Sequence, residues 1–440
     1  MLFIIIRHEL LDNLKSLRLT LTFVLVAGLM IMSGILFVGK YQEMVRDHSL
    51  VQNRNNDELR ERLRNLSRVA FYTQELHKSP NPLRLCAEGY ERWLPNLMEA
   101  SIVYRSEGRN VGHTNLMMAR FPDLDWVMVF GIIVSFAAVL VSYDAISGER
   151  ERGTLRLMIS TGVPRGTILF GKYLGIMAST AIPLLAGILL NLATVTAFGI
   201  PFSLDQWARI AIITLVSLIY ISSYIILGLF VSARTYRAST SLAILLLAWV
   251  ILSILIPGSG GLLASELYKM PTAREIAEEE RAQASLFEDE GMRDSGETQR
   301  PVDMGEVARR VNAVRDKHVN MMIQQVKVAQ NVTRLSPTAA YNYACEAIAG
   351  TGPMDFQNFR RQVNIYLDRL RQFVTNRDEG HSSLISQKSV AFEDIPKFRE
   401  QKPPVSELIN SALWDLLIII LFSVILFMAA YVSFIRYDIR

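Results

Sequence analysis

Six long apolar segments constrain the fold of this 440-residue chain more than any other feature. Each has about 20 mainly apolar residues, enough for a helix to cross the hydrocarbon core of a bilayer. Half of the residues are hydrophobic and a fifth are charged, which fits a membrane protein with sizeable soluble parts. We therefore predict an all-α membrane protein with six transmembrane helices, near Leu19–Val38, Trp126–Tyr143, Tyr173–Ala197, Ile210–Ser232, Ser239–Ile256 and Leu416–Phe434.

The basic residues of the short loops predict the orientation of these spans. Basic residues lie in the loop between spans two and three and in the loop between spans four and five. The loop between spans three and four, Phe198–Gln206, has neither Arg nor Lys. Because such residues favour the cytoplasmic side, both termini are expected in the cytoplasm. The chain is then a multi-pass protein of the cell (inner) membrane with two long extracytoplasmic loops. The first segment, which no small-residue cleavage site follows, is expected to remain as an anchor.

The chain divides into spans, loops and one amphipathic N-terminal helix. Phe3, Ile6 and Leu10 recur at helical spacing there, with charged residues on the other side, which is typical of a helix lying at a membrane interface. The long loops are expected to form a mainly helical ectodomain, with helices near 272–287, 304–334, 337–349 and 355–377 and a small hairpin within Ser101–His113. The predicted organisation is an interface helix (1–18), the first span (19–40), the first part of the extracytoplasmic domain (41–123), the second span (124–143), a cytoplasmic coupling-helix region (144–167), spans three to five (168–257), the second part of the extracytoplasmic domain (258–411), the sixth span (412–435) and a cytoplasmic tail (436–440).

A charged, amphipathic patch separates spans two and three. Asp144 and Ser147 are candidate caps for a helix starting near Gly148, and Gly153 predicts a break between two short helices. Charged residues followed by the apolar run Leu155–Ile159 suit insertion into a groove on another protein. The alternative is a solvated turn between two spans.

The spans themselves carry no visible energy source. Their apolar cores contain no Asp, Glu, Lys, Arg or His, which ion-coupled carriers usually need at mid-membrane. Gly166–Lys172 matches the first seven positions of a phosphate-binding loop, but Tyr173 stands where Ser or Thr binds magnesium. Gly171 and Gly175 instead form a GxxxG pattern, which lets helices approach closely. Energy for transport must therefore come from elsewhere, or the protein does not transport.

These motifs together resemble ABC-2-type permeases, the membrane subunits of type V ABC exporters. The resemblance rests first on the loop between spans two and three, with Ser147–Leu155, Val163-Pro164-Arg165 and Gly171-Lys172. It extends to the N-terminal helix, the six-span plan, Leu335-Ser336-Pro337 and the closing Phe434–Asp438. The subgroup with large extracytoplasmic loops is similar to permeases of gliding-motility and nitrous-oxide-reductase-maturation systems.

The resemblance implies partners and contact residues. Two permeases, identical or paralogous, would form a dimer, and each would bind a cytoplasmic ABC ATPase that carries the ATP and Mg²⁺. This chain would then be a non-catalytic subunit with no cofactor of its own, in contact with membrane lipid and with a possible periplasmic protein. The implied ATPase contacts are Glu149, Arg150, Glu151, Arg152, Gly153, Thr154 and Arg156, with Arg7, Glu9 and Arg18 on the interface helix.

Other site chemistry is sparse. Cys86 and Cys345 are both expected outside the cytoplasm, where a disulfide or two buried free thiols are equally compatible with the sequence. No histidine forms HExxH and no Cys pair has zinc spacing, so we expect no metal. The formal net charge of +4 comes without a basic tract, so we expect no nucleic-acid partner.

The sequence thus favours the permease subunit of an ABC exporter, which couples ATP hydrolysis by a separate subunit to export across the inner membrane. Two alternatives stay open. One is an ATP-driven mechanical transmitter that acts on a periplasmic partner without moving a substrate through the membrane. The other is a membrane scaffold or receptor without an ATPase.

Overall fold

The computed structural model describes residues 2–92, 94–102, 105, 106, 108, 124–160, 162–272, 274–282, 285, 304–377 and 389–436. Within these residues the protein is an all-α membrane protein, as predicted. Six helical segments are long and apolar enough to cross a membrane, and all six coincide with predicted spans. They run over Leu17–Arg62, Trp126–Glu151, Arg165–Ala197, Leu204–Arg234, Ala238–Leu267 and Val405–Ile435.

The N-terminal part consists of two helices that meet at Ser16. Helix α1 is Leu2–Lys15 and helix α2 is Leu17–Arg62. Ser16 has an extended backbone and accepts a hydrogen bond from the Leu19 amide, so it caps a new helix there. At 46 residues α2 is about 69 Å long, more than twice the thickness of a bilayer core. The absence of Gly and Pro from Lys40 to Ser79 predicts that span one continues as one long helix, and α2 does so as far as Arg62.

Spans two and five each contain a π-helical turn. Val129–Val134 separates α4 from α5, and Ile251–Leu255 separates α10 from α11. Backbone carbonyls in these turns accept hydrogen bonds from other helices: the Tyr220 hydroxyl of span four donates to the Gly131 carbonyl at 2.7 Å. The helices from span two to span five are α4 (Trp126–Met128), α5 (Ser135–Ser142), α6 (Ser147–Glu151), α7 (Thr154–Ser160), α8 (Arg165–Ala197), α9 (Leu204–Arg234), α10 (Ala238–Val250) and α11 (Ile256–Leu267).

The two long loops, called the ectodomain after their predicted location, are mainly helical in the described residues, with one two-stranded sheet. Strands β1 (Gln74–His77) and β2 (Leu97–Ala100) pair antiparallel, with Gln74 opposite Ala100. The hairpin predicted within Ser101–His113 lies mostly outside the described residues, and the observed sheet precedes it. The ectodomain helices are α3 (Leu66–Phe71), α12 (274–282), α13 (Met304–Thr333), α14 (Pro337–Ala349) and α15 (Pro353–Arg377), and α16 (Val405–Ile435) is the sixth span.

The two long loops build one ectodomain core. Residues of α3 and the sheet, from the first loop, pack against α15 from the second; Met98 and Phe359 are fully buried there. Leu59 of α2 joins a neighbouring cluster with Val390 and Ile395. Because α2 is continuous with the first span, the ectodomain is attached directly to a membrane helix.

Helix α14 packs between the spans rather than on the ectodomain surface. Ser336 caps it, with Pro337 in the first turn as predicted, and the Ser336 hydroxyl also donates to the Leu252 carbonyl in the π-helical turn of span five. Thr338 bonds to Tyr224, which lies 20 residues after the start of α9 and 10 before its end. The sequence pattern predicted the helix but not this position, because its small apolar residues suit either setting.

Candidate coupling site

The coupling region, residues 144–160, consists of two short helices joined by a sharp turn. Helix α6 ends at Glu151 and α7 begins at Thr154. Gly153 between them has a φ of 77°, a left-handed conformation that glycine adopts without strain. The break that the sequence predicts at Gly153 is therefore present, and it turns the two helices away from a common axis.

The start of α6 is held by a residue that the sequence did not suggest. Ser232, at the end of α9, accepts hydrogen bonds from the backbone amides of Ile146 and Ser147 at 3.0 and 2.9 Å. The predicted caps act differently: the Ser147 hydroxyl donates to the Tyr143 carbonyl, and Asp144 pairs with Arg18 at 3.2 Å. A serine from another span thus takes the capping role because the helix start is buried against α9.

Lys172 lies at the centre of the site. Its side chain is only 2% exposed and its Nζ contacts Glu9 of α1 and, at 2.7 Å, Glu149 of α6. A buried ammonium needs such partners, because desolvating an unpaired charge is very costly. This triad of Glu9, Lys172 and Glu149 joins the interface helix, the third span and the coupling region at one point.

Two glycines let α1 come close enough for the triad to form. A Cβ added at Gly175 would lie 2.5 Å from the Glu9 Cβ, and one at Gly171 would lie 2.8 Å from Ile5 Cγ2. The GxxxG pattern therefore allows close helix approach, as predicted, and its partner is α1. The same segment matched the start of a phosphate-binding loop, but it is helical and its lysine is paired with two carboxylates.

Other contacts fix the coupling region to spans one, four and five. Arg18 also reaches the Tyr143 hydroxyl at 2.7 Å. Arg150 donates to the carbonyl of Thr235, just after α9, at 2.7 Å and to that of Ala233, in the last turn of α9, at 3.0 Å. The Glu151 carboxylate accepts a hydrogen bond from the backbone amide of Ala238, the first residue of α10. Through these contacts and the Glu149–Lys172 pair, the region touches four helices of the membrane part, namely α2, α8, α9 and α10.

The structure divides the sequence-predicted contact residues into two groups. Glu149, Arg150 and Glu9 are partly buried and bonded within the chain, and Arg18 lies in the first turn of α2 rather than in α1. The exposed group forms an outer surface on which Leu157 is 71% exposed. This outer surface comprises Glu151, Arg152, Gly153, Thr154, Arg156 and Leu157, and Arg7 of α1 is also exposed.

The two cysteines lie in one buried cluster. Cys86 and Cys345 are both free thiols with no exposed surface, and both belong to the core that contains Trp126 and Tyr341. Burial, with a smaller contribution from each neighbouring acidic group, raises the pKa of both thiols. Among the described residues, no group of three or more His, Cys, Asp or Glu side chains is placed to hold a metal ion.

The structure combines six membrane-spanning helices, the N-terminal helix α1 packed on α8, and the charged pair of short helices α6 and α7 between spans two and three. These features are those expected of the membrane subunit of an ABC transporter. The chain belongs to the ABC-2 family transporter proteins, whose family model matches residues 3–439. This finding confirms the resemblance drawn from the motifs. A 67-residue segment is 40% identical to the probable ABC transporter permease protein NosY of Pseudomonas aeruginosa and 39% identical to that of Stutzerimonas stutzeri. The matched segment covers 15% of this chain and 21% of each relative.

Proposed function

We propose that this chain is the permease subunit of an ABC exporter and that a separate ATPase subunit docks on its outer coupling surface. One observation carries the proposal: the coupling region is fixed to four helices on its inner side, while its outer surface presents charges and an exposed leucine. A lone solvated turn needs neither the buried ion triad nor an exposed apolar side chain at its tip. Membership of the ABC permease family supports the same reading.

The contacts suggest how a movement of the ATPase reaches the spans. A push on α7 moves α6 through the turn at Gly153. Because Glu149 is paired with buried Lys172, α8 and α1 move with α6. Asp144 and Arg150 transmit the same displacement to α2 and to the loop between α9 and α10. The Glu149–Lys172 pair resists separation, because losing one partner of a buried ion pair costs about 3–5 kcal/mol.

The remaining elements of the proposal concern assembly. The chain lies in the cell inner membrane with both termini in the cytoplasm, and a second copy or a paralogue completes a dimer. ATP and Mg²⁺ are bound by the ATPase, so this subunit contributes no catalytic residue. Apolar residues of α1, such as Phe3 at 76% exposure, are available to contact lipid.

The test is purification of the tagged chain from its native host in mild detergent, followed by mass spectrometry. We expect a stoichiometric ATPase with a complete phosphate-binding loop. Leu157→Asp should reduce its recovery about tenfold or more, as expected for a central interface residue worth at least 1.4 kcal/mol. Leu50→Asp is the matched control, because Leu50 is 57% exposed on the outward part of α2. Recovery of the chain alone, also from lipid nanodiscs, would favour the scaffold reading instead.

The mechanical transmitter is the second candidate, and the length of α2 favours it. This helix runs from the first span into the ectodomain, where Leu59 is 3% exposed in a hydrophobic cluster. Movement of span one would therefore displace the ectodomain directly. An assay in reconstituted vesicles distinguishes the exporter from the transmitter. An exporter moves a solute across the vesicle membrane when ATP is hydrolysed, whereas a transmitter changes only the conformation of the ectodomain.

A further inference from the structure

A cavity of about 90 Å³ lies where four helices meet at the ectodomain end of span six. Its walls come from the end of α13, the second half of α14, the start of α15 and the first third of α16. Since one water occupies about 30 Å³, this volume holds a small molecular group rather than a whole lipid or peptide. Its lining combines charged residues with the apolar side chains of Ala347, Pro353, Met354 and Leu408.

Glu346 is the charged residue in this lining that lacks a cationic partner among the described residues. Arg334 is paired with Asp415 through two contacts, of 2.7 and 3.3 Å, so these two charges offset each other. Asp355 is paired with buried Lys78. By contrast, Oε2 of Glu346 has no exposed surface and no hydrogen-bond partner. An unmatched buried carboxylate is costly, so this group is protonated near neutral pH unless a cation binds beside it, and the cavity at this wall offers room for one.

The carboxylate is held in place by its surroundings. Gly89 has a φ of 55°, and a Cβ there would lie 2.8 Å from the Glu346 Cγ, so the glutamate stem fits against bare backbone. Ser411 lines the same cavity, and its hydroxyl donates to the Leu408 carbonyl, which leaves its oxygen free to accept. Tyr343 adds an aromatic ring to the wall.

We propose that this cavity binds a small primary ammonium group, with Glu346 as its counter-ion. A primary ammonium brings three N–H donors and one positive charge, which match one free carboxylate, one hydroxyl oxygen and an aromatic wall. The apolar residues accommodate the attached carbon chain. A Ca²⁺ or Mg²⁺ ion would need six or more oxygen ligands, and the lining supplies one uncommitted carboxylate. The amine comes either from a lipid headgroup or from a soluble molecule.

The charge state of Glu346 provides a second readout. Burial, with smaller contributions from Asp125 and Asp415, raises the pKa of this carboxyl to about 8. An alkylammonium keeps its proton to about pH 10, so only the glutamate titrates in this range. Affinity should therefore rise between pH 6 and pH 9. The other titratable or charged groups facing Glu346 or lining the cavity are Arg334, Asp355, Tyr90 and Tyr343.

The experiment uses the full chain in nanodiscs, with methylammonium chloride as the probe and sodium chloride at equal ionic strength as the reference. We expect a saturable rise in melting temperature that is larger at pH 9 than at pH 6. Glu346→Gln should weaken binding about 10- to 100-fold, as expected for the loss of a charged hydrogen bond. This variant keeps the side-chain volume and resembles the protonated carboxyl that the raised pKa of Glu346 favours near neutral pH, so it should fold. Glu407→Gln is the matched control, because it removes an exposed carboxylate of α16 outside the lining.

Lipid composition then distinguishes the two sources of the amine. If phosphatidylethanolamine discs abolish the methylammonium response and phosphatidylglycerol discs retain it, the natural occupant is a lipid headgroup. A response in both kinds of disc assigns a soluble amine. The proposal is overturned if neither disc shows a saturable response, or if Glu346→Gln responds like Glu407→Gln. These outcomes do not depend on whether an ATPase binds, so the exporter proposal is tested separately.

Discussion

The triad of Glu9, Lys172 and Glu149 makes a graded prediction about stability. Lys172→Met leaves two carboxylates close together without their cation, and their side chains are only 15% and 21% exposed. Removing one partner of a buried ion pair costs about 3–5 kcal/mol, and the partial exposure of the carboxylates favours the lower end. Glu149→Gln should cost less, about 1.5–3 kcal/mol, because Lys172 retains Glu9 and loses one charged hydrogen bond. The triple variant Glu9→Gln, Lys172→Met, Glu149→Gln contains no buried charge and should recover most of the loss.

The assay is the melting temperature of each purified variant in one detergent, together with its ability to retain the ATPase. The expected order, from most to least stable, is parent, triple variant, Glu149→Gln, Lys172→Met. Glu151→Gln is the control for the melting temperature: it removes the same charge two residues further along α6, but Glu151 is exposed and an amide oxygen there can still accept from the Ala238 amide. The reasoning fails if Lys172→Met melts like the parent, or if Glu149→Gln and Glu151→Gln lower the melting temperature equally.

Three further predictions follow from contacts elsewhere in the chain. Gly175→Val should detach α1 from α8, because a Cβ at Gly175 would already lie 2.5 Å from the Glu9 Cβ. Protease cleavage within α1 measures this detachment. Gly258→Val is the control and should have no effect, because the space around Gly258 is open. Burial raises the pKa of Glu91, but the positive charges of Lys78 and Arg84 outweigh burial and lower this pKa below its ordinary value of 4.5. The ectodomain should therefore become protease-sensitive as the pH falls below about 4.5. Lys78→Met should weaken this dependence of protease sensitivity on pH. Burial raises the pKa of Asp125 to about 7 and that of Glu346 to about 8. Because the folded protein then holds these protons more tightly than the unfolded chain, the melting temperature should fall from pH 6 to pH 9 in the absence of amine. The fall should be smaller in Glu346→Gln.

Much of the fold was predictable because each feature has a local cause. A run of about 20 apolar residues specifies a spanning helix wherever it stands, and the six predicted spans are all present. The cap at Ser336 and the break at Gly153 likewise depend on residues within one turn. The position of α14 was not predictable, because its hydrogen bonds to Tyr224 and Leu252 join residues more than 80 positions apart.

The coupling site shows the same limit at the level of single residues. The charged run from Glu149 to Arg156 indicated where a partner would dock, but it gave no sign of which charges point inward. Glu149 and Arg150 are engaged by Lys172 and by the carbonyls after α9, and both partners are distant in sequence. Lys172 itself stood between Gly171 and Tyr173 at the start of an apolar span. A lysine in that setting usually extends its ammonium to the membrane interface, so no local pattern indicated that Lys172 is buried.

The division of the coupling region into inner and outer residues changes what a mutation there would report. Substituting Glu149 disturbs the attachment of α6 to α8 and α1, so lost ATPase binding in that variant would have two explanations. Substituting Leu157 changes an exposed side chain that contacts no hydrophobic core of the described residues, so lost binding has one. If both variants lose the ATPase and only Glu149→Gln loses stability, the outer surface makes the contact and the inner residues hold it in position. If Leu157→Asp keeps the ATPase, the docking surface lies elsewhere, and the exposed face of α1 around Arg7 is the next to test.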